Sequence, residues 1–125
     1  MVLGWITRAR EERRPERALG VIDPRRTETA EIADYHLRVR PGTDAFCLAA
    51  LLGVLVQEDL VHHAFLAERT NGYATIAEAL RRVPVADFAA RSGVAEALVR
   101  EVARRIARAK SVSTFEDLGV QQAPH

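Results

Sequence analysis

With 125 residues, 48% of them apolar and 28% charged, the chain has the bulk of one soluble globular domain and is too short for two ordinary ones. Eighteen basic residues against 17 acidic ones leave a formal charge of +1, which excludes a global pull toward nucleic acid or an anionic membrane. A lone cysteine, Cys47, excludes an intrachain disulfide and a cysteine-based metal cluster.

Taken in chain order, residues 1–17 form a charged N-terminal helical segment, broken by Pro15 and read as a solvated helix end rather than a basic patch. Its opening apolar run, 1–6, is too short for a signal peptide, and its charges follow it instead of preceding it. The expectation is therefore a cytoplasmic chain, or a piece of a protein exported by a signal that this segment lacks. Ala18-Leu19-Gly20-Val21-Ile22, closed by Asp23-Pro24, reads as a short buried strand. Residues 25–33 are polar and turn weakly helical.

His36-Leu37-Arg38-Val39-Arg40 alternates apolar and polar, the period of a second strand. Pro41-Gly42 stops it, and Thr43 or Asp44 is suited to cap the next helix. That helix, 45 to about 59, is apolar on nearly every face through residue 56, so it demands cover on several sides. It falls short of a bilayer span. Asn71-Gly72 marks a turn, Pro84 starts or interrupts a helix, and Gly93 separates 85–91 from the amphipathic run 95–110. Residues 111–115 have the look of a third strand. The sum is an α/β fold with a short, mostly parallel sheet of about three strands, flanked by helices and helix-rich in its second half.

Two strand ends carry chemistry. In open α/β sheets, ligands gather at the carboxyl ends of strands. Asp23 offers a carboxylate there that can accept two donors, as a guanine edge or a ribose diol would present. Arg25, Arg26 and Thr27 supply donors for phosphate oxygens, with Pro24 shaping the turn. The second loop sets Gly42, Thr43 and Asp44 at a helix N-terminus, where the dipole favours anions. Each loop alone is a common turn or cap; together they describe a nucleotide-binding rim.

The order of these motifs resembles a known family. Val21-Ile22-Asp23-Pro24-Arg25-Arg26-Thr27-Glu28-Thr29-Ala30, then Ala33-Asp34, then Leu37-Arg38-Val39-Arg40-Pro41-Gly42-Thr43-Asp44-Ala45, is similar to the central segment of molybdopterin oxidoreductases. Formate dehydrogenases and periplasmic nitrate reductases are among these. Glu68-Arg69-Thr70-Asn71-Gly72, the helix pair around Ser92-Gly93-Val94, and Leu118-Gly119-Val120-Gln121-Gln122 continue the resemblance, which covers residues 18 to 125.

The resemblance implies that 18–125 is part of a molybdopterin guanine dinucleotide-binding α/β domain, in a parent enzyme using molybdenum or tungsten held by two such cofactors (Mo-bis-MGD). It places Asp23 to Thr27 along a guanine-dinucleotide arm and Gly42, Thr43 and Asp44 at the nucleotide end. It brings Leu118 and Gln122 toward a pterin from the third strand. The pterin cofactor, and remaining segments or subunits of the oxidoreductase, are the partners it implies.

Departures from the family pattern are large. The four cysteines of its Fe–S cluster, its metal-ligating residue and its C-terminal dinucleotide domain are absent from this sequence, so no catalytic or metal-binding residue is assigned and the chain alone is expected to be inactive. Cys47 reads as a buried small hydrophobe. His62 and His63 are adjacent and do not share a helix face; His36 and His125 show no partners in the sequence. Exposed apolar surface on the 45–56 helix predicts self-association.

A second reading takes residues 85–108 as a helix-turn-helix that binds DNA, with Arg100, Arg104, Arg105 and Arg108 as a basic side. Against it, Glu96 stands at the start of the would-be recognition helix, with Glu101 further along, and the chain is barely basic.

Overall fold

The structure is a computed structural model that describes residues 17–116 and Val120. The charged segment 1–16, and Leu118 and Gln122, lie outside the described residues. Strand β1 (Gly20–Ile22) pairs in parallel with β2 (Tyr35–Leu37), in the register Gly20 to Tyr35, Val21 to His36 and Ile22 to Leu37. Between them the chain makes a single helical turn, α1 (Glu28–Glu31). Thr27 caps this turn, its Oγ1 accepting from the Ala30 N–H at 3.3 Å.

Five further helices follow: α2 (Asp44–Gln57), α3 (His63–Arg69), α4 (Tyr73–Arg81), α5 (Val85–Ser92) and α6 (Glu96–Ala107). Their limits fall at the sequence's punctuation. Gly72, at φ 81°, precedes α4, Pro84 precedes α5, and Gly93, also at φ 81°, closes α5. That left-handed conformation costs a glycine little and other residues more.

Helix α2 is the centre of the fold, packing against α4, α5 and α6. Its Cys47, Ala50, Leu51 and Val54 meet Val85 and Ala89 of α5 and Val99, Val102 and Ala103 of α6, with Leu37 and Val39 closing the end near the sheet. The helix is buried on several sides, and its own Gly53 lets Val83 and Val85 approach closely. A Cβ on Gly53 would stand 3.2 Å from Val83 Cβ. The chain thus supplies much of the cover that this apolar helix needs, although Leu52 remains 48% exposed.

Fold class is as the pattern implies: a helix-rich α/β arrangement with a parallel sheet. The sheet has two strands among the described residues, not about three. Residues 111–116 are exposed, with Phe115 at 88%, and form no strand. Strand-like composition makes a strand only where an open edge accepts its backbone hydrogen bonds. The capping expectation also shifts. Thr43 occupies the cap of α2 but makes no side-chain cap bond; its hydroxyl donates instead to the Arg40 carbonyl at 2.6 Å.

Candidate functional site

Because β1 and β2 run parallel, both chemically loaded loops leave from the same carboxyl edge of the pair. The first is folded by its own aspartate. Asp23 Oδ1 accepts the Arg25 N–H at 2.7 Å, an Asx turn that lifts residues 24–26 off the strand. The Asp23 N–H donates to the Leu37 carbonyl at 3.3 Å, so the sheet pairing runs one residue past β1. Pro24 is half-buried and the side chains of Arg25 and Arg26 are exposed, with no ion pair among the described residues. Thr27 Oγ1 accepts one bond at the cap of α1 and keeps a hydroxyl hydrogen to donate.

Two side chains that sequence reasoning left out of this loop hold it from β2. His36 Nε2 lies 2.9 Å from the Asp23 carbonyl, and Arg38 Nε donates to the Pro24 carbonyl at 3.1 Å. His36 therefore has a partner after all. A carbonyl only accepts, so the imidazole carries its proton on Nε2.

The second loop is tied to the α5–α6 turn. The Arg40 N–H donates to the Ser92 carbonyl at 2.8 Å, and its Nη1 reaches the carbonyls of Ala90 and Arg91 at 3.1 and 3.3 Å. Gly42 adopts φ 76°, and Thr43 N–H and Oγ1 both return to the Arg40 carbonyl. Asp44 opens α2 and exposes only 9% of its surface. Its carboxylate takes no hydrogen bond among the described residues, yet neither oxygen is sealed from solvent. Water can therefore reach both oxygens, and the carboxylate keeps its full capacity to accept.

One turn along α2, Cys47 is fully buried. Desolvation, and then the charge of Asp44, push its thiol up to about 11, while a hydrogen bond with Ser92 acts the other way. It is a core side chain, as the sequence indicates. His62 caps α3 through Nδ1, accepting the Phe65 N–H at 3.0 Å, while His63 pairs with Asp59 at 2.7 Å. Among the described residues no group of three His, Cys, Asp or Glu side chains is placed to hold a metal ion.

A depression of about 400 Å³ lies at the other end of α2, lined by Glu58, Asp59, Leu60, Val61, Arg104, Ala107 and Arg108. It includes none of the loop residues. Beside it, Glu58 binds Arg100 Nη1 at 2.8 Å and Arg104 Nε at 2.8 Å, and Arg100 also pairs with Glu96. Two of the four arginines expected on a DNA-reading helix, Arg100 and Arg104, are thus committed to ion pairs within the fold.

The carboxyl-edge loops of the parallel strand pair thus bear an open aspartate, two arginines without an ion pair among the described residues, and a glycine-led helix start. No family model matches the chain. It is 34% identical over 101 residues to the assimilatory nitrate reductase catalytic subunit of Bacillus subtilis, a match covering 81% of the chain and 14% of that protein. Formate dehydrogenase H of Escherichia coli is 38% identical over 105 residues, 82% of the chain and 14% of that protein. Among solved structures, acetylene hydratase from Pelobacter acetylenicus superposes with a TM-score of 0.70 at 31% identity, over 74% of this chain and 13% of that one.

The chain belongs with the molybdopterin oxidoreductases of the formate dehydrogenase and nitrate reductase type. It spans about 14% of the length of these curated relatives. A molybdopterin cofactor is implied by that kinship; DNA binding has no support from it.

Proposed function

We propose that this chain contributes part of the cofactor-binding wall of a molybdopterin-dependent oxidoreductase, and that the form bound is the guanine dinucleotide. What carries the reading is Asp44: a residue only 9% exposed, whose carboxylate has no hydrogen-bond partner among the described residues, set at the start of a 14-residue helix. A guanine edge presents adjacent N–H donors of the kind such a carboxylate accepts, and Asp23 retains a second oxygen for a ribose diol or another such donor. Arg25, Arg26 and Thr27 would meet phosphate oxygens, with Gly42 and Thr43 forming the floor of the nucleotide end. Leu118 and Gln122 remain proposed pterin neighbours on the strength of the family resemblance.

The bound pterin and its metal would supply the redox chemistry; this chain's residues bind and orient. We assign it no catalysis of its own, a cytoplasmic setting, and the other segments or subunits of such an enzyme as partners. The test is calorimetric titration of the purified chain with GDP. Binding that Asp44→Asn and Asp23→Asn each weaken by about tenfold supports the reading; the asparagine at 23 preserves the Asx turn, so its effect reports on the carboxylate. A folded chain that ignores GDP, or binds it equally well in both variants, sinks it.

A further inference from the structure

The Asp23–Thr27 loop has a support that its own sequence does not contain. Beyond Ile22 the backbone pairing of the two strands ends with the Asp23 N–H, and the carbonyls of Asp23 and Pro24 have no strand neighbour to donate to them. Both are met by side chains of β2 and its extension. His36 Nε2–H takes the first at 2.9 Å and Arg38 Nε–H the second at 3.1 Å. Residues 36 and 38 alternate with the buried Leu37 and Val39, so both stand on the side away from the core and form a short ladder of side-chain donors beyond the end of the strand pairing.

We infer that His36 and Arg38 are positioning residues for the nucleotide loop: they fix the carbonyls of Asp23 and Pro24, and through them the direction of the Asp23 carboxylate and of the Arg25 and Arg26 side chains. The inference rests on the nucleotide reading of that loop. Its geometric part stands apart from it. His36 is half-buried and Arg38 exposed, and neither belongs to the main apolar core. Their loss should therefore loosen the loop far more than the fold. An unanchored loop must be ordered again on binding, which costs affinity.

The experiment is GDP titration of the full chain and of His36→Leu, His36→Gln and Arg38→Met, with amide hydrogen exchange at Arg25 measured on each. Glutamine keeps an N–H donor within reach of the Asp23 carbonyl, whereas leucine keeps only the bulk. Expected are about tenfold weaker binding for His36→Leu and Arg38→Met, and a loss within about twofold for His36→Gln. Should His36→Leu unfold the chain, Arg38→Met, on an exposed side chain, carries the same comparison. Full affinity in both leucine and methionine variants, or a glutamine variant as weak as the leucine one, overturns the assignment. If the parent chain does not bind GDP, the nucleotide reading fails by itself. The exchange data then decide positioning: faster exchange at Arg25 in His36→Leu and Arg38→Met sustains it, and unchanged exchange overturns it.

Discussion

The stem of Arg40 crosses over Gly93, so close that a Cβ added to the glycine would stand 3.0 Å from Arg40 Cγ. Gly93 closes α5 at φ 81°, and Arg40 reaches beyond it to the last carbonyls of that helix. The loop bearing Gly42, Thr43 and Asp44 is thus fastened to a turn about fifty residues away in sequence. Replacing Gly93 by alanine combines a disfavoured backbone with a crowded contact. The expected loss is about 1–2 kcal/mol of stability in urea unfolding. Arg40→Ala tests the same link from the other side: it should remove the side-chain donors to the Ala90 and Arg91 carbonyls while the Gly93 cap remains, and in combination with Gly93→Ala the losses should not add.

Glu58 couples the end of α2 to α6, and its carboxyl is held below its ordinary value of 4.5, chiefly by the hydrogen bond from Arg104 and further by Arg100. A depressed folded pKa means that the stabilisation is fully present above the unfolded value. It is lost as pH falls through the folded one. The chain should therefore be less stable at pH 3 than at pH 6. Glu58→Gln should lower the urea midpoint at pH 6 and change it much less at pH 3. A variant equally destabilised at both values would show that packing, and not the charge, matters at this position. The ion pairs are largely solvent-screened, so a modest effect is expected.

Much of this architecture is legible in the sequence where local rules decide. Gly72, Pro84 and Gly93 limit helices in the positions their backbone preferences dictate, and the runs before Asp23 and Pro41 each hold a strand, though β1 is exposed to half-buried and β2 ends at Leu37, short of residues 38–40. Reasoning fails where the answer depends on a distant partner. Residues 111–115 have strand-like side chains, but nothing in a local pattern reveals whether a sheet edge awaits them. His36 shows no partner because its acceptor is a backbone carbonyl thirteen residues back, and carbonyls have no sequence signature. The charged side of α6 is read as free because Glu58 lies 42 residues from Arg100. In the two loops, the residue types and their places after the strands are legible; the open carboxylate of Asp44 and the props beneath Asp23 depend on groups that only the fold brings together.

Cys47 should be chemically silent in the folded chain. Its thiol is fully buried and pushed up to about 11, so little thiolate exists near neutral pH and reagents have no access to it. Alkylation with iodoacetamide at pH 8 should follow unfolding, becoming fast only above the urea midpoint. Rapid labelling in native buffer would mean that α2 parts readily from α5 and α6.

Self-association provides the last prediction. Leu52 of α2, Phe65 of α3 and Ile76 of α4 are 48%, 57% and 57% exposed, and Val112 and Phe115 add apolar surface in the 111–116 segment. Scattered apolar residues are ordinary on protein surfaces, and contiguous patches drive association. Leu52 is the informative one, because it lies on the helix whose other faces form the core. Sedimentation should show concentration-dependent association of the purified chain, reduced by Leu52→Gln. If Leu52 instead lies in a region normally covered by other segments of an oxidoreductase, mixing with such segments should suppress association as effectively as the substitution does. A chain that stays monomeric at high concentration, with Leu52→Gln behaving identically, would mean that its exposed apolar residues are too dispersed to form a contact.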